Sequence, residues 1–179
     1  EAFKRIGDLY PEVDLPKENG GGKARVIAWL WARTVKSPNP AFSHIAVPLI
    51  TSYVLSSKPG DGIFVQPVVE GDSYRFEIRN GNPPAAANAG TTAGKRNAFL
   101  CLLSGAPIDY NYIRSEGKAG RIGQKLMAVV VEGAKGRVYV APTNAIEDVA
   151  ARARPEWIPD IRLPDNPRDF KTPGYGLGT

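Results

Sequence analysis

Ten consecutive residues read Val26-Ile27-Ala28-Trp29-Leu30-Trp31-Ala32-Arg33-Thr34-Val35. In an extended chain successive side chains point to opposite sides, and here apolar groups fill both sides for most of the run. Such a run predicts a central strand covered on both faces, so the rest of the chain must supply an apolar layer for each. Trp29 and Trp31, two residues apart, share one face. Core packing is the plain reading for this pair, with a base-stacking platform as its rival. Hydrophobic residues make up 42% of the 179, enough to build the core of one ordinary domain.

Further strands are expected at Val47 to Leu55, Ile63 to Val69 and Tyr74 to Arg79, joined through Gly60-Asp61-Gly62 and Glu70-Gly71-Asp72 as an antiparallel meander. Tyr74, Phe76 and Ile78 alternate with Arg75, Glu77 and Arg79, which gives that strand one wet face and one core face. Residues 80–97 carry little apolar bulk and read as a mobile loop. Phe99 to Leu103 is a short strand, and Leu126 to Val131 with Arg137 to Val140 form a hairpin. Thr143 caps a helix running to about Arg154, with Glu147 and Asp148 near its start and Arg152 and Arg154 at its end, as the helix dipole favours.

The expected class is therefore α+β: mainly antiparallel sheet, with short helices at the N-terminus and near 143–154. At the N-terminus Phe3, Ile6, Leu9 and Tyr10 have helical spacing, which Pro11 ends, and Gly20-Gly21-Gly22 marks a flexible connector. The chain divides into a helix tail and linker (1–22), a β-rich domain (23–154) and a Pro-rich extended arm (155–179). Both ends read as cut from something longer. Taken alone, they are expected to fray or to dock on a second copy as a dimer.

Cys101 is the only cysteine and His44 the only histidine. No internal disulfide can form, which fits a reducing, cytoplasmic setting. A structural zinc site takes four Cys or His ligands, more than one chain of this composition offers. A nucleophilic triad would have to use His44, and nothing around Phe42-Ser43-His44 reads as a nucleophile elbow. No apolar stretch approaches the roughly 20 residues of a membrane span. The net charge of +5 and pI of about 9.4 suit a nucleic-acid partner, and equally a plain solvated surface.

Two short motifs fail on their chemistry. Asn82-Pro83-Pro84-Ala85 resembles the amino-methyltransferase motif whose aromatic residue stacks on a flipped base, and Ala85 cannot stack. Gly90-Thr91-Thr92-Ala93-Gly94-Lys95-Arg96 resembles a phosphate loop, but it has Ala89 where the first glycine belongs and Arg96 where Ser or Thr belongs. No Gly-rich turn follows a strand to hold a nucleoside cofactor. Glu147 and Asp148 read as capping and solvation. The chain offers no complete active site of its own.

Several strings carry a family resemblance together: Ile27 to Val35, Ser37-Pro38-Asn39-Pro40-Ala41, Asp109-Tyr110-Asn111-Tyr112-Ile113-Arg114, Glu116-Gly117-Lys118-Ala119-Gly120-Arg121-Ile122-Gly123, Gly136-Arg137-Val138-Tyr139-Val140, and Asn166-Pro167-Arg168-Asp169-Phe170-Lys171-Thr172-Pro173. They resemble the large prokaryotic adenine-specific DNA methylases that contain a zinc ribbon, over nearly the whole chain.

In that family the S-adenosylmethionine loop precedes this region and the Asp-Pro-Pro-Tyr motif follows it. The resemblance therefore implies a non-catalytic insert, with S-adenosylmethionine bound only by the parent enzyme and the remaining methylase halves as partners. Relatives carry Cys-Pro-Asn-Pro-Ala-Cys and Cys-x-x-Cys as zinc ligands. The matching positions here are Ser37, Phe42, Cys101 and Ser104, a degenerate ribbon expected to hold no zinc, with Phe42 as an apolar plug. Arg114, Lys118, Arg121 and Lys125 are the candidates for DNA phosphate contacts, because the glycines among them would let backbone approach closely. The rival reading makes those glycines a tight turn and the charges solvated. A further alternative is a protein–protein interaction module of a DNA-modification or defence system, with no DNA contact.

Overall fold

The computed structural model describes residues 4, 6–94, 98–134 and 136–152. Among them the chain is α+β and dominated by antiparallel pairing. Ten strands form three sheets: β1 (Glu12–Asp14), β2 (Lys23–Lys36), β3 (Ala46–Pro48), β4 (Val54–Ser56), β5 (Ile63–Glu70), β6 (Ser73–Asn80), β7 (Ala98–Leu100), β8 (Pro107–Asp109), β9 (Gly123–Gly133) and β10 (Gly136–Val140). Three short helices accompany them: α1 (Ala85–Ala89), α2 (Tyr110–Lys118) and α3 (Asn144–Arg152).

The long apolar run is the axis of the largest sheet. β2 pairs with β9 along one edge and with β1 and then β3 along the other, and β10 closes the far side of β9. Both faces are covered, as expected. On one face Ala24, Val26, Leu126, Val129, Val131 and Val140 pack with Ile146 of α3, and Trp29 and Trp31 lie against this cluster. The other face gives Ala32, Val35, Val47 and Ala128 to the larger core. Val65, Tyr74 and Phe76 of the β4-β5-β6 sheet join them there, with Ala87 of α1 and Phe99, Cys101 and Ile108 of the third sheet. Fully burying each Leu, Val or Ile contributes about 1.5–3 kcal/mol.

A bulge decides which face each residue of β2 takes. Val26 pairs with Val131 but Ala28 pairs with Val130, so Ile27 is an extra residue, and it is 39% exposed. Strict alternation would place Val26 and Trp29 on opposite faces. The extra residue puts them on one, so the tryptophans join Val26 in the same layer. β9 has the matching irregularity: Leu30 pairs with Ala128 and Trp31 with Leu126, which skips Met127. The tilted ring of Tyr10 lies 5.3 Å from Trp29, and both tryptophans are half-buried against this layer.

Three expectations about local structure are corrected. The strand expected at Val47 to Leu55 is two strands in different sheets, because the chain leaves β3 at Pro48 and re-forms as β4 only at Val54. The expected loop at 80–97 is ordered over its described part. Pro84 leads into α1, and Thr91 is buried behind it. The Thr91 hydroxyl accepts from the Ile50 amide (3.0 Å) and donates to the Pro48 carbonyl (2.8 Å), so it satisfies the backbone groups that the break after β3 leaves open. Without it, the buried Ile50 amide would cost about 1–3 kcal/mol. The connector at 11–22 is also structured: β1 pairs with β2, with Glu12 opposite Arg25, and the Leu15 amide donates to the Gly22 carbonyl.

At the N-terminus Lys4 and Ile6 are helical and Gly7–Leu9 forms a 3-10 turn that lies against α3. The Thr143 hydroxyl accepts from the Ile146 amide at the start of α3, as expected of a cap. The expected arm at 155–179, with Trp157, Ile158, Phe170 and Tyr175, lies outside the described residues, as do Ala153 and Arg154. No helix among the described residues is long and apolar enough to cross a membrane.

Candidate functional site

Two turns meet at the end of β2. The first follows the strand directly. Ser37 is buried, its amide donates to the Ile45 carbonyl and its hydroxyl accepts from the Asn39 amide at 3.3 Å. Asn39 then caps the 3-10 turn Pro40–Phe42 by accepting from the Ala41 amide at 3.1 Å. The second turn runs from Cys101 to Ala106. The Cys101 amide donates to the Ala106 carbonyl, the Gly105 amide donates to the Cys101 carbonyl, and the Ser104 hydroxyl accepts from the Ala106 amide. Asn39 and Ser104 are small polar residues that bond backbone two residues on, which is why such sequences turn.

The thiol of Cys101 joins the two turns. Burial pushes it up. The Ser104 hydroxyl, the backbone of Ser104 and Leu103, and the Ser37 hydroxyl hydrogen-bond to it and outweigh burial, so it lies below the ordinary thiol range. Ser37 and Ser104, two of the four positions that the ribbon resemblance marks, thus both act on the third, Cys101. The fourth, Phe42, packs against the larger core that contains Cys101. Among the described residues no group of three or more His, Cys, Asp or Glu side chains could hold a metal. The donor set itself does not fit zinc, since a serine hydroxyl is neither deprotonated nor soft at neutral pH.

The four basic candidates have different surroundings. Arg114 and Lys118 are one helical turn apart on α2 and both are exposed. Arg121 is committed to Glu116: its Nε and Nη2 donate to the two carboxylate oxygens at 2.9 and 2.6 Å. This partner holds the nearly buried Glu116 carboxyl below the usual range and raises the guanidinium. Lys125 stands on β9 with its ammonium 4.9 Å from the centre of the Tyr74 ring. Arg114 and Lys118 thus form the pair turned to solvent.

The glycines here serve the turn. Gly120 has φ +69, its amide donates to the Gly117 carbonyl, and the Arg121 amide donates to the Glu116 carbonyl. This is a Schellman ending, which needs a residue in the left-handed region. The string Glu116 to Arg121 therefore encodes a helix stop with an ion pair across it. Asp109 caps the other end by accepting from the Tyr112 amide at 2.8 Å, and the Tyr112 hydroxyl donates to the Lys36 carbonyl, which fastens α2 beside Ser37. Neither α2 nor Glu116 is anticipated from the sequence. Asp109 before an amphipathic stretch and Gly120 after it were the available signals.

The remaining sequence candidates have structural surroundings. His44 is exposed, with Nε2 3.6 Å from Asp72. Asn82-Pro83-Pro84 leads into α1. Compared with known proteins, the chain matches no family model, no curated protein and no solved structure.

Proposed function

We propose that this chain is a non-catalytic internal domain of a cytoplasmic adenine-specific DNA methyltransferase, and that it assists DNA binding or enzyme architecture. The reading rests on the resemblance described above. The observation that supports it best is that the turn holding buried Ser37 and the turn from Cys101 to Ala106 bring Phe42 and Cys101 into one core, at positions where zinc-bearing methylases of that kind carry ligands. A hydrogen-bonded thiol and an apolar Phe42 then stand where a metal would join the turns. Transfer of the methyl group, with S-adenosylmethionine, belongs to the parent enzyme. Arg114 and Lys118 offer exposed charges to the DNA backbone.

A second reading, a protein-interaction module without DNA contact, is favoured by one feature. An open groove of about 450 Å³ between β2, β9, α2 and β7 is lined by Trp31, Leu49, Phe99, Tyr110, Ile113 and Met127, and Tyr110 is 40% exposed.

Salt dependence separates the readings. Fluorescence anisotropy with a labelled duplex should show binding that weakens with salt, with a log-log slope at least as steep as about −1.8, the value for two phosphate contacts. Absence of binding at low salt, or binding indifferent to salt, would favour the interaction module.

A further inference from the structure

A second basic site lies away from α2. The 3-10 turn Lys17–Asn19, the loop after β4 and the start of β10 surround an open cleft of about 940 Å³. Lys17, Lys58 and Arg137 converge on it from these three segments, and Asp61 is the one carboxylate among the described side chains that line it. All three cations are exposed and none makes an ion pair with a described residue. Arg75, Arg79 and Arg121, by contrast, each hold a carboxylate. Glu132 stands opposite Arg137 in the hairpin register, yet no ion pair joins them. A cleft lined mainly by one sign of charge focuses its field and draws in anions.

We propose that this cleft holds the phosphodiester backbone of a DNA strand, with Lys17, Lys58 and Arg137 each on a phosphate. The cleft is at the upper end of small-ligand volumes and is open, which suits a passing strand better than an enclosed mononucleotide. Half-buried Tyr139 in its wall offers a ring against which a base or sugar can lie, and Asn80 adds amide donors. The site rests on the DNA-binding reading above but is separate from the α2 pair.

The test uses the full chain, a labelled duplex, a labelled single strand of the same length and a fluorescent mononucleotide. The variant Lys17→Ala/Lys58→Ala/Arg137→Ala should lose about tenfold or more in oligonucleotide affinity at low salt, and its salt slope should flatten by about 2.7. Arg114→Ala/Lys118→Ala should flatten it by about 1.8 at most. All five side chains are exposed, so circular dichroism should be unchanged in both variants. Wild-type binding that the cleft variant keeps in full would overturn this site and leave the DNA reading standing. A wild-type chain that binds neither oligonucleotide would overturn both. Binding of the mononucleotide alone would overturn the strand as occupant.

Discussion

The triple variant Ser37→Cys, Phe42→Cys, Ser104→Cys, with Cys101 retained, is expected to bind one zinc ion per chain. The Ser37 and Ser104 hydroxyls both lower the Cys101 thiol, so two of the three new thiols would start near it. The third replaces Phe42 at the end of a capped 3-10 turn, and the resulting Cys-x4-Cys and Cys-x2-Cys spacing suits a tetrahedral four-thiolate site. The Phe42 ring is half-buried, so removing it costs less than the roughly 3–5 kcal/mol of a fully buried ring, and the metal-free variant should be less stable than the native chain. Structural zinc binding of this type contributes about 10–16 kcal/mol, which more than offsets that loss. Metal analysis after dialysis and thermal melts with and without chelator read both effects. A variant that melts at the same temperature with and without zinc would show that the turns do not present these positions to a common point.

Gly90→Ala should be strongly destabilising, although the segment around it looks like a polar surface loop. Gly90 has φ +60 and ψ −130, a region that residues with a Cβ rarely enter. A Cβ placed there would meet the Ile50 carbonyl carbon and the Thr51 carbonyl carbon at 2.8 Å, and would overlap the Ile50 carbonyl oxygen. These are backbone atoms and cannot swing aside. The Thr91 amide also donates to that Ile50 carbonyl at 2.8 Å, so displacement would break the tie between α1 and the chain leaving β3. Backbone strain of about 1–3 kcal/mol adds to a similar overpacking cost, a total of about 4 kcal/mol. For a chain of this size the melting temperature should fall by about 8–16 °C. A fall of less than about 3 °C would mean the segment after α1 is not seated against Ile50.

The regular elements were legible because their periodicities are local. β2, the β5–β6 hairpin and the β9–β10 hairpin each declare themselves by apolar patterning and turn residues, and Thr143 announces α3. What escaped depends on distant partners. The break between β3 and β4 is held by Thr91, more than 40 positions away, so the apolar run from Val47 to Leu55 looks continuous until that hydroxyl is placed. Ile27 looks like any other strand residue, and only its pairing with β9 makes it a bulge. In α2, Gly117 and the charged residues dilute the apolar stripe, so its caps carry more information than its interior. Ser37, Phe42, Cys101 and Ser104 are marked by resemblance alone, whereas Lys17, Lys58 and Arg137 share no sequence pattern and converge only in the fold.

Contact between DNA and this chain's own surface is read by amide chemical shifts of the isotope-labelled chain titrated with a short duplex at low salt. Shifts are expected around Lys17, Lys58 and Arg137 and around Arg114 and Lys118, reversed by added salt, with the buried centre of β2 and β9 unmoved. Shifts confined to the apolar groove at Trp31, Phe99 and Ile113, or no shifts anywhere at saturating duplex, would contradict it.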